Sequence, residues 1–169
     1  MTRAVFLDRD GVINADIGYL WRKEDFCWVP GAPAAIKAFN DRGWRVLVVT
    51  NQSGVARGYY READVTSLHA WINQQLAKQG ARIDAFYHCP HHPGGVLPEY
   101  TRQCDCRKPA PGMILQGLAE WGADPAGSLL IGDKESDVQA AEAAGIPGYL
   151  FEEQDLLAFV QKLLPELVE

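Results

Sequence analysis

Val5-Phe6-Leu7-Asp8-Arg9-Asp10-Gly11-Val12-Ile13-Asn14 is the stretch from which the fold can be read. Its apolar start, Ala4 to Leu7, is too short for a helix and lacks the polar alternation of a half-exposed strand. It predicts a strand buried on both faces, in a parallel sheet covered by helices. The run stops at two acids one residue apart, followed by glycine. Residues i and i+2 of a strand share a face, so Asp8 and Asp10 leave the sheet pointing roughly the same way. Gly11 lets the backbone turn sharply just beyond them. The carboxyl end of a central strand is where open α/β sheets bind ligands. Two carboxylates there suit binding of a divalent cation, covalent chemistry, or both. In isolation the string also reads as an ordinary turn, because Asp and Gly are common turn formers.

The same arrangement recurs along the chain. A helix is expected from Pro30-Gly31 to about residue 42, with Ala34, Ala35, Ile36, Ala38 and Phe39 on its apolar side and Gly43 as its stop. Val46-Leu47-Val48-Val49 is a second apolar strand, ending in Thr50-Asn51-Gln52-Ser53-Gly54. Hydroxyl and amide groups beside backbone N–H groups make an anion cradle, although a turn with a helix cap is an equally natural reading of that segment alone. Val65, Leu68, Ile72 and Leu76 keep helical spacing over residues 61–79, and 83–88 reads as a third strand. Pro111 suits the first turn of a helix carrying Met113, Ile114, Leu115, Leu118 and Trp121. Ser128-Leu129-Leu130-Ile131-Gly132 is a fourth strand, capped by Asp133-Lys134-Glu135-Ser136-Asp137. A helix to Ala144, a short strand at Tyr149-Leu150-Phe151 and a last amphipathic helix complete the pattern. Strands alternating with helices predict an α/β fold: a three-layer, doubly wound parallel sheet forming one domain over 1–169.

The bulk numbers exclude several function classes. A chain of 169 residues with 47% hydrophobic and 22% charged residues has an ordinary globular composition and enough length for a sizeable core. The net charge of -6 argues against a nucleic-acid or membrane-surface binder. No apolar run approaches the roughly 20 residues of a membrane span, and the chain enters its first strand without room for a signal peptide. A cytoplasmic protein, with reduced thiols, is expected. Nothing demands a second copy, so a monomer is the default.

Three strand ends therefore carry complementary groups: Asp8 with Asp10, Thr50 with Asn51 and Ser53, and Gly132-Asp133. Arg107-Lys108-Pro109 adds cations ahead of the fourth strand. Acids for a metal, hydroxyl and amide donors, and a lysine suit a phosphoryl group held between Mg²⁺ and Lys while a carboxylate attacks it. Asp8-x-Asp10-Gly11-Val12, Thr50-Asn51-Gln52, Lys108-Pro109 and Gly132-Asp133-x-x-x-Asp137, in this order, resemble the four motifs of the haloacid dehalogenase-like phosphatases. That resemblance implies roles. Asp8 would be the nucleophile, and Asp10 the acid that protonates the leaving oxygen and then the base that activates water. Mg²⁺ would be held by Asp8, the Asp10 main-chain carbonyl and Asp133. Thr50 and Asn51 would hold phosphate oxygens, Lys108 would stabilise the transition state, and Asp137 would orient Lys108.

The segment Cys89-Pro90-His91-His92-Pro93 … Cys104-Asp105-Cys106 reads as C-x-H, a 12-residue gap, then C-x-C. Three thiols and one imidazole suit a closed structural zinc site within a loop at about 89–107. A disulfide is the poorer reading, since a Cys-x-Cys bridge is sterically awkward and the compartment is reducing. His92 adjoins His91, and the resemblance favours His91 as the ligand. Cys27 and His88 read as packing residues, and His69 as a helix-surface residue.

The extended first motif, Thr50-Asn-Gln-Ser-Gly-Val-Ala-Arg-Gly, and Cys-Pro-His-His-Pro with Cys-Asp-Cys-Arg-Lys-Pro together resemble the heptose-bisphosphate phosphatase branch. Histidinol-phosphate phosphatase domains are close relatives. By that resemblance Asp16, Gly18, Tyr19, Ser53, Arg107 and Lys134 join the contacts to a small sugar phosphate. There is no room for a large cap, so specificity falls to short loops. Arg57 is a further candidate for a second phosphate, with a solvated loop charge as its plain alternative. A catalytically silent zinc-stabilised binding module would have no need of Asp8, Asp10, Lys108 and Asp133 together. A phosphorylated receiver domain would lack the paired Asp10 and the zinc loop.

Overall fold

In the computed structural model, which describes residues 1–168, five strands form one sheet. They are β1 (Ala4–Leu7), β2 (Arg45–Asn51), β3 (Ala85–Cys89), β4 (Leu129–Gly132) and β5 (Gly148–Leu150). Every neighbouring pair is parallel, in the order β3-β2-β1-β4-β5. The connecting helices are α1 (Ala32–Asp41), α2 (Glu62–Ala77), α3 (Gly112–Trp121), α4 (Glu135–Ala143) and α5 (Leu156–Leu163).

Strand alternation sorts the helices into two outer layers. Val5 and Leu7 of β1 face a core built with Ile36 and Phe39 of α1, Leu68, Ile72 and Leu76 of α2, and Leu156 and Val160 of α5. Ala4 and Phe6 face the opposite core, with Met113, Ile114 and Leu118 of α3 and Ala140 and Ala141 of α4. A central strand covered on both sides has no use for polar alternation, which is why β1 reads as continuous apolar sequence. Each such large side chain contributes about 1.5–3 kcal/mol of burial. The three-layer architecture matches the expectation from sequence.

The strand order places the functional ends. The chain winds outward from β1 to β2 and β3, then crosses back to β4 on the other side of β1. The crevice between β1 and β4 is the switch point at which open α/β sheets take ligands at their carboxyl ends. Asp8 follows β1 and Asp133 follows β4, so the two acids meet there. Residues 8–31 hold one short 3-10 turn, Lys23–Asp25, and no cap-sized insertion.

Four expectations fail, the first at Ala34, which is exposed because Ala32, Ala35, Ile36 and Phe39 form the buried face of α1. His69 is buried rather than on the surface of α2, with its ring stacked on Phe86 at 4.3 Å between centroids. Cys27 is exposed rather than packed, in a stretch that belongs to no strand or helix. Leu115 lies on the solvent side of α3, since Met113, Ile114 and Leu118 already fill the face against the sheet.

Candidate active site

The site grows from a buried lysine. Lys108 Nζ donates to Asp8 Oδ1 at 3.0 Å, to Asp137 Oδ1 at 2.6 Å and to the Val49 carbonyl at 2.8 Å, so its three N–H bonds are all used. Burial opposes its charge, but the carboxylates of Asp8 and Asp137 outweigh burial and hold its pKa above the ordinary lysine value. The loop that delivers Lys108 is fixed by Asn51 at the end of β2. Lys108 N–H donates to Asn51 Oδ1 at 3.0 Å, and Asn51 Nδ2 donates to the Lys108 carbonyl at 3.1 Å. The Asn51 side chain thus braces this loop with Oδ1 and one N–H of its amide, and it also lines the cleft in which the resemblance has it holding phosphate.

Asp137 serves two elements at once. Its Oδ2 accepts the N–H groups of Asp133 and Lys134, both at 3.1 Å, which caps the first turn of α4. Its Oδ1 holds Lys108. A helix start, a strand end and the lysine are therefore locked by one buried carboxylate.

Asp8, Asp133 and Asp137 bring carboxylate oxygens within 4.8 Å of one another. Burial pushes Asp8 well above the usual carboxylate range, against the pull of Lys108. Burial also raises Asp133. Asp133 Oδ1 is buried with no hydrogen-bond partner, a costly arrangement that a cation between Asp8 and Asp133 would relieve. Gly11, at φ +90, lies so close that a Cβ there would overlap the Asp133 carboxylate. The donor set is hard and all-oxygen, as Mg²⁺ prefers.

Asp10 stands on the wall of a cleft of about 570 Å³, which is also lined by Asp16, Gly18, Tyr19, Ser53, Arg107 and Lys134. Asp16 Oδ1 accepts the Gly18 N–H at 3.0 Å, which shapes the turn presenting Tyr19. Thr50 is buried near the end of β2, where its Oγ1 accepts from Gln52 at 2.8 Å and its own proton stays free to donate. Arg107 Nη1 is buried without a partner. Arg57 is not among the residues lining this cleft; its guanidinium lies over the ring of Tyr19, 6.0 Å from the centroid, and beside His92, with Nε buried and unpartnered.

Reasoning from sequence gave no site role to five residues that the site uses: Arg9, Asn14, Gln52, Tyr60 and His69. Asp10 Oδ1 accepts from Arg9 Nε and Nη2, at 3.2 and 3.0 Å, and from Asn14 Nδ2 at 3.0 Å. Asp10 Oδ2 accepts from Gln52 Nε2 at 3.2 Å, and Tyr60 donates to Gln52 Oε1 at 2.6 Å. Burial pushes the Tyr60 phenol up to about 12, so it stays a donor. Arg9 itself rests on His69. Arg9, Asn14 and Gln52 belong to the motifs quoted above, and His69 keeps helical spacing with Val65 and Ile72, so position was the available signal; Tyr60 carried none.

The thiol cluster lies beside this site. Cys89 Sγ, His91 Nδ1, Cys104 Sγ and Cys106 Sγ are separated by 3.0–3.7 Å in the five pairs that touch. A tetrahedral zinc with metal–sulfur bonds of about 2.3 Å has ligand separations close to these. His92 is outside the cluster: its Nδ1 accepts the Gly94 N–H at 2.8 Å. Burial holds the Cys89 thiol far above its ordinary pKa, the cost that a bound cation removes.

Known proteins fit this geometry. A model of the HAD-hydrolase-like family matches residues 105–153. The chain is 51% identical over 164 residues to the D-glycero-beta-D-manno-heptose-1,7-bisphosphate 7-phosphatase of Rhodopseudomonas palustris, covering 97% of this chain and 91% of that protein. It is 44% identical over 145 residues to the D-glycero-alpha-D-manno-heptose-1,7-bisphosphate 7-phosphatase of Photorhabdus laumondii, covering 86% and 79%. Among solved structures, the D,D-heptose 1,7-bisphosphate phosphatase of B. bronchiseptica, complexed with magnesium and phosphate, superposes with a TM-score of 0.84. It is 32% identical and the match covers 98% and 99% of the two chains. Likeness of this extent, carried end to end, makes the chain a member of the heptose-1,7-bisphosphate 7-phosphatase family within the haloacid dehalogenase-like hydrolases.

Proposed function

We propose that this chain hydrolyses the C7 phosphate of D-glycero-D-manno-heptose 1,7-bisphosphate through an aspartyl-phosphate at Asp8, in the supply of activated heptose for surface polysaccharide. The observation that carries the chemistry is the two-sided setting of Asp8, with Lys108 at 3.0 Å on one flank and the unpartnered Asp133 oxygen on the other. The substrate rests on the end-to-end likeness to relatives named for it.

An oxygen of Asp8 attacks phosphorus, and the bond from phosphorus to the C7 oxygen breaks. Asp10 gives its proton to that leaving oxygen. Water then attacks the phosphorus of the aspartyl-phosphate while Asp10 takes the proton back. The bond to Asp8 breaks, releasing inorganic phosphate and restoring both carboxyl groups. Lys108 holds the developing charge, Thr50 donates its hydroxyl to a phosphate oxygen, and Asn51 keeps Lys108 in place. Asp8, the Asp10 main-chain carbonyl and Asp133 would hold Mg²⁺, which supplies the positive charge that lets a carboxylate approach a phosphate. Asp16, Gly18, Tyr19, Ser53, Arg107 and Lys134 would take the sugar and its second phosphate. The orphaned Arg107 Nη1 supports an anion on that side. Arg57 would act by backing Tyr19.

Cys89, His91, Cys104 and Cys106 would hold Zn²⁺ and so fix the loop that ends at Lys108. A thiol cluster of this kind needs reduced cysteines, which supports a cytoplasmic setting. No helix of the described residues is long and apolar enough to cross a membrane. All the residues assigned a role lie in one chain, so a monomer is complete.

The test is phosphate release from both anomers of heptose 1,7-bisphosphate and from histidinol phosphate, with Mg²⁺ and after its removal. Mg²⁺-dependent turnover with the highest kcat/KM on one bisphosphate anomer is expected. A higher kcat/KM on histidinol phosphate would overturn the substrate.

A further inference from the structure

Arg9 lies between the two catalytic acids and is 1% exposed. Its guanidinium is fully directed. Nε and Nη2 grip Asp10 Oδ1, Nη2 also donates to the Leu20 carbonyl at 2.8 Å, and Nη1 meets His69 Nε2 at 3.2 Å. An arginine only donates, so His69 must offer a lone pair at Nε2 and carry its proton on Nδ1. Burial, then the charges of Arg9 and His88, keep the His69 ring neutral, which that contact needs. A buried histidine on α2 is therefore a fixed acceptor, set 60 residues along the chain from the arginine that it orients.

The result at Asp10 is lopsided. Oδ1 takes three donors, from Arg9 twice and from Asn14 once, and all come from fully buried side chains. An oxygen so occupied has no room to carry a proton. Oδ2 takes only Gln52, on the cleft side.

We propose that Arg9 and His69 are positioning residues for Asp10: His69 holds the Arg9 fork, and the fork turns Asp10 so that Oδ2 alone delivers and recovers the proton. The inference rests on the phosphatase reading above. Lysine could not replace Arg9, because a point charge lacks the two-pronged grip.

The experiment compares His69→Leu, which removes the acceptor, with His69→Gln, whose amide oxygen can reach the place of Nε2. Rapid-quench phosphorylation of Asp8 is followed with heptose 1,7-bisphosphate, whose alkoxide leaving group needs a proton, and with p-nitrophenyl phosphate, whose leaving group does not. Well-positioned acid catalysis is worth a large factor, so His69→Leu should slow phosphorylation by the sugar phosphate roughly tenfold to a hundredfold. Phosphorylation by the aryl ester should fall by less than about threefold, KM should stay within about twofold, and His69→Gln should recover most of the loss. Equal losses on both esters, a loss in KM alone, or no recovery with Gln would each overturn the proposal and leave His69 as packing. If His69→Leu does not fold, Arg9→Lys carries the same test, with the same split between esters expected. Wild-type turnover with unaltered variants removes this proposal alone, whereas a wild type inert on every phosphate ester removes the reading beneath it.

Discussion

The acid cluster and the thiol cluster stand near the same end of the sheet and are built in opposite ways. Asp8, Asp133 and Asp137 come from the ends of two adjacent strands and the first turn of α4, so their positions are set by strand register and by a helix cap. The thiol ligands span residues 89–106, and that stretch has only the end of β3 and one 3-10 turn of regular structure. Burial holds the first cluster whether or not a cation is there, and Lys108 already offsets part of its charge. The second has no such scaffold, and the zinc proposed for it would supply that shape. The comparison teaches a division of labour: strand register and a helix cap place the acid cluster, whereas the thiol loop leaves its shaping to the ion proposed for it and to the Asn51 brace on Lys108.

The sharpest way to break this contrast is to remove the nucleophile. Asp8→Asn keeps an oxygen for Lys108 while taking a negative charge out of a pocket crowded with carboxylates. Turnover should fall at least about a thousandfold, because the covalent step is lost. The melting temperature should hold or rise, since the burial that raises the Asp8 pKa works against the ionised form. A large drop in melting temperature would mean that the acid cluster is not scaffolded by the fold.

The thiol cluster should behave the other way. Cys106→Ser should lower both zinc content and melting temperature, while Mg²⁺ removal stops turnover with little change in melting. A ligand at a thousandfold excess over its Kd stabilises by about 4 kcal/mol, and a tightly held metal supplies at least that scale. Metal analysis alongside a thermal melt checks it; zinc lost without a fall in melting temperature would contradict the role given to the ion. Thiol labelling sharpens the comparison. Cys27 is exposed, whereas Cys89, Cys104 and Cys106 converge. With metal bound, one cysteine should react quickly, and after thiophilic chelation the other three should follow.

How much could be read in advance tracks how local the signal was. Buried strands announce themselves as short apolar runs, and the acids follow them directly, so Asp8, Asp133 and the sheet were legible. The C-x-H and C-x-C pairs were legible for the same reason. What stayed hidden depends on partners distant in sequence. The Asn51 side chain braces Lys108, 57 residues away, which no local pattern reveals. Arg57 belongs to a glycine-containing motif, but its neighbours Tyr19 and His92 come from other parts of the chain. His69 is the most instructive. It lies four residues after Val65 and three before Ile72, squarely on the buried stripe of α2, yet its polarity suggests a surface place. Spacing was the better guide, because Arg9 gives that polar ring a partner inside.

The smallest expected effect concerns this same histidine. Burial and the neighbouring charges of Arg9 and His88 hold its folded pKa well below the unfolded value of about 6.5. Between those two values the unfolded chain binds a proton that the folded chain refuses, so stability increases with pH across the window. The contribution is complete above about pH 6.5 and is lost progressively as pH falls below it. His91 and His92 are also held low, chiefly by burial, so the wild-type melt alone mixes three rings. The difference between wild type and His69→Gln isolates one. Melts taken at about pH 7.5 and about pH 5.5 should show the wild type losing more stability than the variant on acidification. Equal losses would mean that His69 accepts its proton freely in the folded chain. Its Nε2 would then face Arg9 as a second cation, and the Arg9 fork would be held only by the Leu20 carbonyl and by Asp10 itself.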